Sequence, residues 1–264
     1  MFIFAIQKKV YMSEEIVQND QVEIEEVVNK PKKTKSSNKN SINLGGLEDF
    51  YEENKKVITY GGGALLAIVA LFSFYKFYYL PGEEKTANNE IFYAQNYFER
   101  DSFNIALNGG LNVQSSEGPK TMMGFKAVAD EYSHTKTGNL ANYYAGICLL
   151  RTGKYDEAIE YLEKFSGNDE MVAPMAIGAI GDANMELNKT DDAIKFYLSA
   201  SEKSTNNFTT PLFLKKAAFA YEQKANYTEA LALYERLKSE YSKSNEAKEI
   251  NKYIARVKVL GNID

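Results

Sequence analysis

The sequence is poor in the residues from which most active sites and metal centres are built. Among its 264 residues there is no tryptophan, one cysteine (Cys148) and one histidine (His134). A single cysteine excludes an intramolecular disulfide framework and a thiolate metal cluster. His134 lies in the polar stretch EYSHTKTGN, where a surface residue is expected rather than a catalyst. Few prolines and many Ala, Leu, Lys and Glu residues favour helix over sheet.

Motifs for catalysis and cofactor binding are also missing. The glycine run at 61–63 lies inside an apolar segment, and NGG at 108–110 is expected to end a helix. Acidic pairs such as Asp191 and Asp192 are expected at helix starts, where they complement the helix dipole. The region after residue 86 is acidic and lacks basic residues interleaved with aromatics, which argues against nucleic-acid binding. We therefore predict a protein with no enzymatic activity, cofactor, metal or small-molecule substrate.

One uncharged run interrupts this polar chain. The 19 residues from Val57 to Tyr75 carry no charge, and a helix of that length covers about 28 Å, close to the hydrocarbon core of a bilayer. Lys55 and Lys56 precede the run, and Lys76 with three aromatic residues follows it, as is typical of the headgroup level. We predict a single transmembrane helix over 57–80.

Small residues mark one face of this predicted span. Gly63, Ala67 and Ala70 fall on one side of a helix, at four- and three-residue spacing. Such a stripe allows a second membrane helix to approach closely. Small residues that simply face lipid explain the pattern equally well. These three residues are the candidate helix-packing face in the membrane.

The segment before the span is predicted to be a disordered tail over 1–46, because Glu, Lys, Ser and Asn dominate it. The stretch 30–40 holds five lysines and no acid. It is either a contact for anionic lipid or another polyanion, or a solvated linker. Met12 is an alternative start, in which case residues 1–11 are a mis-assigned start rather than part of the protein. Residues 47–56 read as an amphipathic juxtamembrane helix.

The flanks of the span predict its orientation. Lysines are concentrated before the span and are sparse between it and Arg100. Basic residues tend to stay in the cytoplasm, whereas long domains cross largely regardless of charge. We predict a cytoplasmic N-terminus and a large C-terminal part outside the inner membrane. The inverted topology, with the C-terminal part in the cytosol, is the alternative.

The chain after the span repeats a pattern of small residues. Four alanines are each preceded, twelve residues earlier, by another small residue, which lets two antiparallel helices approach closely where they cross. These pairs are Ala94 and Ala106, Gly146 and Ala158, Gly181 and Ala193, and Ala218 and Ala230. The last three alanines are 35 and 37 residues apart, and a segment containing GGLNVQSSEGPK separates the first two units.

These features predict an all-α fold. A single N-terminal transmembrane helix is followed by an α-solenoid of about four helix pairs over 87–241 and by a polar-faced capping helix over 244–260. Pro174 and Pro211 are expected in the first turns of two helices, with Thr210 as the N-cap of the second.

The repeating units resemble tetratricopeptide repeats. More narrowly, the single span together with LEDFYEENKK, AQNYFERDSFNIALNGG, GNLANYYAGICLLRTGKYDEAIEYLEKF and YIARV is similar to membrane-anchored repeat proteins of Bacteroidota related to the ancillary subunit of the Sec translocon. Thr190 and Ser242 depart from the repeat pattern, which bears on helix boundaries.

That resemblance implies an inner-membrane protein whose tail is cytoplasmic. Its periplasmic repeats would bind the Sec translocon and periplasmic chaperones. The function expected is that of a non-catalytic scaffold. The alternative is an assembly scaffold for another envelope complex, in cytochrome maturation or outer-membrane export.

The inner face of the first helices is the candidate protein-binding surface, because mixed methionine, aromatic and aliphatic groups can hold a client segment by adaptable apolar contact. Packing between neighbouring helices is the alternative role. The carboxylate-clamp mode of such repeats is not expected, because its positions hold Ile91, Gln95 and Tyr144. The candidate residues are Tyr143, Ile147, Leu150, Met175, Met185, Leu212, Lys215 and Phe219.

Overall fold

The computed structural model describes residues 45–115 and 118–264. The predictions for the tail up to residue 44, including the lysine-rich stretch and the alternative start, lie outside these residues. The chain divides into two units, one ending at Gly62 and the other running from Gly63 to Asp264. The candidate site lies in the second unit.

A long helical path opens the described chain. Helix α1 spans Gly45–Phe74, a π-helical segment spans Tyr75–Tyr79, and α2 spans Leu80–Phe98. The stretch predicted as a juxtamembrane helix therefore belongs to the same helix as most of the predicted span. Side chains from 63 to 72 are exposed on every side, with Leu66 71% exposed. By length and composition the path contains a helix long and apolar enough to cross a membrane.

The candidate helix-packing face is also uncovered. Gly63, Ala67 and Ala70 are all exposed, and a Cβ atom added to Gly63 would meet nothing within 4 Å. The face is available to a second helix or to lipid, and its role in packing stays a prediction.

The rest of unit two is a row of antiparallel helix pairs with a short hairpin inserted. The all-α prediction is confirmed, since the described residues include only two short strands. The elements are α3 Phe103–Asn108, β1 Gly109–Ser115, β2 Gly118–Met123, α4 Phe125–Glu131, α5 Lys136–Arg151, α6 Tyr155–Lys164, α7 Val172–Glu186, α8 Thr190–Lys203, α9 Thr209–Gln223, α10 Tyr227–Glu240 and α11 Ile250–Gly261.

The pairs cross where the small residues were predicted to meet. All four alanines at the crossings are fully buried. A Cβ atom added to Gly146 would lie 2.5 Å from Cγ of Leu162, and one added to Gly181 would lie 2.6 Å from Cε1 of Tyr197. Contacts this close exclude a larger side chain at either glycine without a shift of its neighbours. The twelve-residue offset is therefore confirmed as the signature of the helix crossing.

The turn inside each pair has one repeated geometry. Asp101, Gly153, Asn188 and Ala225 have φ between 54° and 77°, in the left-handed region. Each lies five residues before the alanine of its crossing. After α5, for example, Lys154 N donates to Leu149 O at 2.9 Å and closes a Schellman motif. The other three pairs close their turns in the same way, so the turn repeats in register with the crossing.

The insertion between the first two units is a β-hairpin that the sequence did not predict. Strands β1 and β2 pair antiparallel, with an irregularity between Gly109 and Asn112. At its base the backbones of Gly109 and Gly124 are so close that a Cβ atom on either would lie 2.4 Å from the other's backbone. The hairpin thus extrudes from the second helix of the first pair, leaving α3 and α4 on its two sides.

The hairpin is held against the first helix of that pair. Lys120 forms a 2.6 Å ion pair with Glu90 of α2, and its ammonium group lies 5.3 Å from the ring centroid of Tyr93. The Tyr93 hydroxyl donates to Gln114 O at 3.0 Å.

Helix starts differ in detail from the prediction. Pro174 and Pro211 lie in the first turns of α7 and α9, as predicted. Thr210, however, is not the N-cap, because α9 begins one residue earlier. The Asn206 side chain accepts hydrogen bonds from Phe208 N and Thr209 N. Its longer side chain reaches the free amide groups from outside the helix, while the Thr210 hydroxyl donates back to Ser204 O.

The closing helix begins at Ile250, whereas 244–260 was predicted. Ser244 starts a turn instead, and its hydroxyl accepts a hydrogen bond from Ala247 N. Arg256 of this helix donates to Glu222 Oε1 of α9 at 2.7 Å. The Tyr234 hydroxyl of α10 donates to the same oxygen at 2.5 Å. The cap is therefore joined to the last pair by a charged network as well as by apolar packing.

Candidate protein-binding groove

The first helices of successive pairs line a groove of about 940 Å³. The same turn reverses the chain inside each pair, so the two helices of a pair run antiparallel. Successive first helices, α5, α7 and α9, therefore run in the same direction. Gly178 meets Phe213, and Asp182 meets Lys216 further along the same two helices. The side chains facing away from the crossings therefore form one continuous surface.

Six of the eight candidate residues lie on this groove. The six are Tyr143, Ile147, Leu150, Met175, Met185 and Phe219. Each is partly buried, which leaves part of its side chain accessible. The structure brings these groups together, and their binding of a partner stays a prediction.

The remaining two candidates, Leu212 and Lys215, do not line the groove. Leu212 packs against the core between α8 and α9. The ammonium group of Lys215 lies 5.0 Å from the ring centroid of Tyr253 in the cap helix. One residue turns a helix by about 100°, so the groove position in α9 belongs to Lys216 rather than to its neighbour.

The floor of the groove carries an ionic network that sequence reasoning missed. Lys216 Nζ lies 2.6 and 2.7 Å from the two carboxylate oxygens of Asp182, and the Tyr197 hydroxyl donates to Asp182 Oδ1 at 2.7 Å. Burial, and then the neighbouring Asp182 carboxylate, raise the pKa of the Tyr197 hydroxyl. The network joins α7, α8 and α9, and so ties one repeat to the next.

The position of this network could have been read from the repeat frame. Ile147, Asp182 and Phe219 each follow the small residue of their first helix, so they occupy the same repeat position. An acid at a position that is otherwise apolar requires a partner. The repeat frame places that partner on the next first helix, where Lys215 and Lys216 are both available, and the structure shows that Lys216 is the partner.

The charges that line the groove balance. Arg151 and Lys216 are basic, whereas Asp182 and Glu186 are acidic. Glu186 accepts a hydrogen bond from the Tyr155 hydroxyl at 3.3 Å. With no net charge and with aromatic, methionine and aliphatic walls, the groove suits an apolar segment more than a charged chain terminus.

Aromatic clusters lie at the two ends of the row of helices that lines the groove. At one end Tyr144 stacks on Phe125 at 4.9 Å between centroids and meets Phe98 edge-on at 5.2 Å. At the other end Phe219 meets Tyr253 edge-on at 5.2 Å. Tyr144, at a position that a carboxylate clamp would use, is thus engaged in packing, and Ile91 at another is buried.

Neither of the two residues with the strongest inherent reactivity lines the groove. Cys148 is fully buried in α5, and burial raises the pKa of its thiol to about 12, which makes a thiolate nucleophile unfavourable. His134 lies before α5, where its ring stacks at 6.1 Å on Tyr79. In residues 45–115 and 118–264, no group of three or more His, Cys, Asp or Glu side chains is placed to hold a metal ion.

Comparison with known proteins agrees with this geometry. Residues 140–168 and 214–244 match the tetratricopeptide repeat family. The first match covers most of α5 and all of α6, and the second covers most of α9 and all of α10. The comparison with curated proteins gave no match.

Two solved structures are similar, both of kinesin light chain nearly identical TPR-like repeats from Podosopora anserina. The first is 12% identical, covers 69% of this chain and 87% of that chain, and has a TM-score of 0.46. The second, a single-substitution variant, is 13% identical with 69% and 86% coverage and the same TM-score. At this identity neither bears on what the chain binds. The conclusion for this chain is that it carries tetratricopeptide repeats, two of them matched directly.

Proposed function

We propose that this protein is a membrane-anchored scaffold that binds protein segments in the groove and catalyses no reaction. The observation that carries the proposal is the groove itself. Its walls come from first helices, it is large enough for a peptide segment, and it offers apolar side chains of adaptable shape. Helical repeats of this kind commonly bind a partner along such a surface.

The groove favours an amphipathic helix or an extended apolar segment as its occupant. Methionine side chains adapt to different partner shapes at little conformational cost. Asp182 and Lys216 neutralise each other within the groove, so they can orient a bound segment without requiring that segment to be charged. Affinity would come from the apolar walls, and specificity from the few polar groups around them.

The anchor is the helical path that contains the uncharged run. Its exposed apolar side chains are costly in water and are matched by lipid. The proposed location is the bacterial inner membrane, with a cytoplasmic N-terminus and periplasmic repeats. Protease treatment of spheroplasts tests the orientation, because external repeats are digested while an internal tail survives.

For the partner, we propose the Sec translocon and periplasmic chaperones, so that the protein links translocation to folding outside the membrane. What supports this choice is the resemblance to the ancillary translocon subunit. Cross-linking in native membranes followed by purification of the full chain tests it. Recovery of translocon subunits or periplasmic chaperones is the expected result, and their absence would refute the choice.

The role of the groove needs a matched pair of variants. Ile147→Ser combined with Met185→Ser removes two apolar walls from the accessible surface. Lys195→Ser changes a side chain that is 75% exposed on a second helix. We expect the first variant to lose the cross-linked partners while its circular dichroism stays unchanged, and the second to retain them. Equal recovery with both variants would exclude the groove as the binding surface.

A further inference from the structure

The first helices of all four pairs begin along one edge of unit two. Near the start of α2, Glu84 accepts hydrogen bonds from Lys136 N at 2.7 Å and from the Thr137 hydroxyl at 2.6 Å. The α5 start is in turn joined to the loop before α7, because Asn139 Nδ2 donates to Ser166 O at 2.7 Å. These bonds place three helix starts in one row.

The same row continues to α9. Asn206, in the loop before that helix, donates to Glu170 O, in the loop before α7, at 2.9 Å. We call the row the N-terminal edge; it consists of the starts of α2, α5, α7 and α9 and of the loops 132–135, 165–171 and 204–208. The turns within the pairs form the opposite edge.

The N-terminal edge lies next to the end of the proposed anchor. Within unit two, α2 begins at Leu80 directly after the aromatic π-helical segment, with no linker between them. Glu84 is four residues further on, about 6 Å along a helix axis. The headgroup layer on each side of a bilayer is about 5–7 Å thick. His134 is closer still, since it stacks on Tyr79 and its Nε2 lies 3.8 Å from Glu83.

Two large apolar side chains are exposed on this edge. Met171 is 43% exposed and Phe208 is 60% exposed. They immediately precede α7 and α9, so they hold the same position in two successive repeats. An apolar residue close to a helix start often packs against the first turns of that helix. Here both side chains are directed to the surface, which leaves them available to another apolar phase.

We propose that the N-terminal edge rests on the lipid headgroup layer, with Met171 and Phe208 inserted among the headgroups. The inference rests on the anchor given under Proposed function. Charged groups of both signs lie on this edge, and Lys203 is engaged with Asn168 at 3.0 Å. Insertion of apolar groups therefore drives the contact, and anionic lipid adds little to it. The edge holds the row of repeats in one orientation relative to the membrane, and this fixes the direction in which the groove opens.

The test uses the full chain reconstituted in vesicles of phosphatidylethanolamine and phosphatidylglycerol. An environment-sensitive fluorophore is attached through Asn207→Cys, beside Phe208, in a Cys148→Ala background. The control probe is attached through Val259→Cys, which is 77% exposed near the opposite edge, where Gly261 approaches Tyr227. Some of the phospholipid carries a nitroxide in the headgroup region.

We expect the probe at position 207 to shift to shorter wavelength and to lose emission to the nitroxide, while the probe at 259 does neither. Met171→Ser combined with Phe208→Ser should abolish the shift and the quenching at 207. Emission at 207 that matches the control refutes the inference. A probe shielded from aqueous iodide but not quenched by the nitroxide would assign the edge to a second copy of the chain, which also refutes it.

Carbonate extraction of the same vesicles separates this inference from the anchor. A chain that stays in the lipid fraction without quenching at 207 retains its anchor and refutes only the edge contact. A chain released by carbonate refutes the anchor, and the edge inference falls with it.

Discussion

The turn between α9 and α10 holds an alanine where glycine would be more stable. Ala225 has φ of 57°, a conformation that costs an L-residue about 1–2 kcal/mol. Glycine avoids that cost but loses about 0.4–1 kcal/mol through its greater freedom in the unfolded chain. Ala225→Gly is therefore expected to raise the free energy of unfolding by about 0.5–1 kcal/mol.

The surroundings of this alanine make the test clean. Ala225 is exposed, so its methyl group contributes little packing. Its N–H donates to Glu222 O at 2.9 Å, and the next residue donates to Tyr221 O. Glycine preserves both hydrogen bonds. The effect of the substitution on stability therefore comes from the conformational preference of the backbone.

Urea unfolding of the full chain in detergent micelles, followed by circular dichroism, measures the change. With a slope of about 2 kcal/mol per molar urea, the midpoint should rise by about 0.2–0.5 M. Gly153→Ala is the matched control, since it occupies the same turn position with φ of 77° and a Cβ atom there would meet nothing within 4 Å. Its midpoint should fall by a similar amount. A fall for Ala225→Gly, or shifts of the same sign for both variants, would refute the repeated left-handed turn.

Three further predictions concern the groove and the helix starts. Gly178→Ala would place a Cβ atom 1.9 Å from the Phe213 ring, so it should lower the free energy of unfolding by about 1–3 kcal/mol. A second substitution, Phe213→Leu, should recover part of that loss. An unchanged urea midpoint for Gly178→Ala would exclude this packing. Asp182→Asn should lower the free energy of unfolding by about 1 kcal/mol, because the ion pair with Lys216 is one-third exposed and partly screened. A double-mutant cycle with Lys216→Met should give a favourable coupling energy between the two residues. Additive effects of the two substitutions would contradict the ion pair. Burial alone would raise the pKa of Asp169, but backbone N–H donors at the start of α7 hold that pKa below its ordinary value. Its stabilisation is therefore present above about pH 4 and is lost as the pH falls through the folded-state pKa; urea midpoints measured against pH should show this loss in the native chain and not in Asp169→Asn.

The parts of the fold that the sequence could predict depend on short-range spacing. A crossing of two helices requires small residues at a fixed offset, so Gly146 with Ala158 and Gly181 with Ala193 can be read without a structure. The same offset locates the turns, although the pattern did not indicate that Ala225 is left-handed. Alanine has no intrinsic preference for that region, so only the repeat register could have revealed it.

The parts that could not be predicted depend on contacts between distant residues. The segment over 109–123 has few apolar residues and no clear alternation. The hairpin is held by contacts with α2, from Lys120 to Glu90 and from Gln114 O to the Tyr93 hydroxyl. Lys215 and Lys216 were equally compatible with the repeat frame, and only the position of Asp182 on α7 distinguishes them. The repeat period predicts which helices line the groove, but it is too coarse to predict which residue of a helix points into it.

Continuity between the proposed anchor and the first repeat has a consequence for the groove. Each residue of an α-helix is rotated by about 100° around the helix axis relative to the one before it, and a π-helical segment changes this rotation locally. Unit two has such a segment at Tyr75–Tyr79, followed at once by α2, and Glu84 then fixes α5 through its backbone N–H groups. Because no linker intervenes between Gly63 and α2, rotation of the part of the anchor that lies in unit two is transmitted to the groove. The direction in which the groove opens is therefore determined by helix phase, and the edge contact with lipid holds the same orientation from the other side.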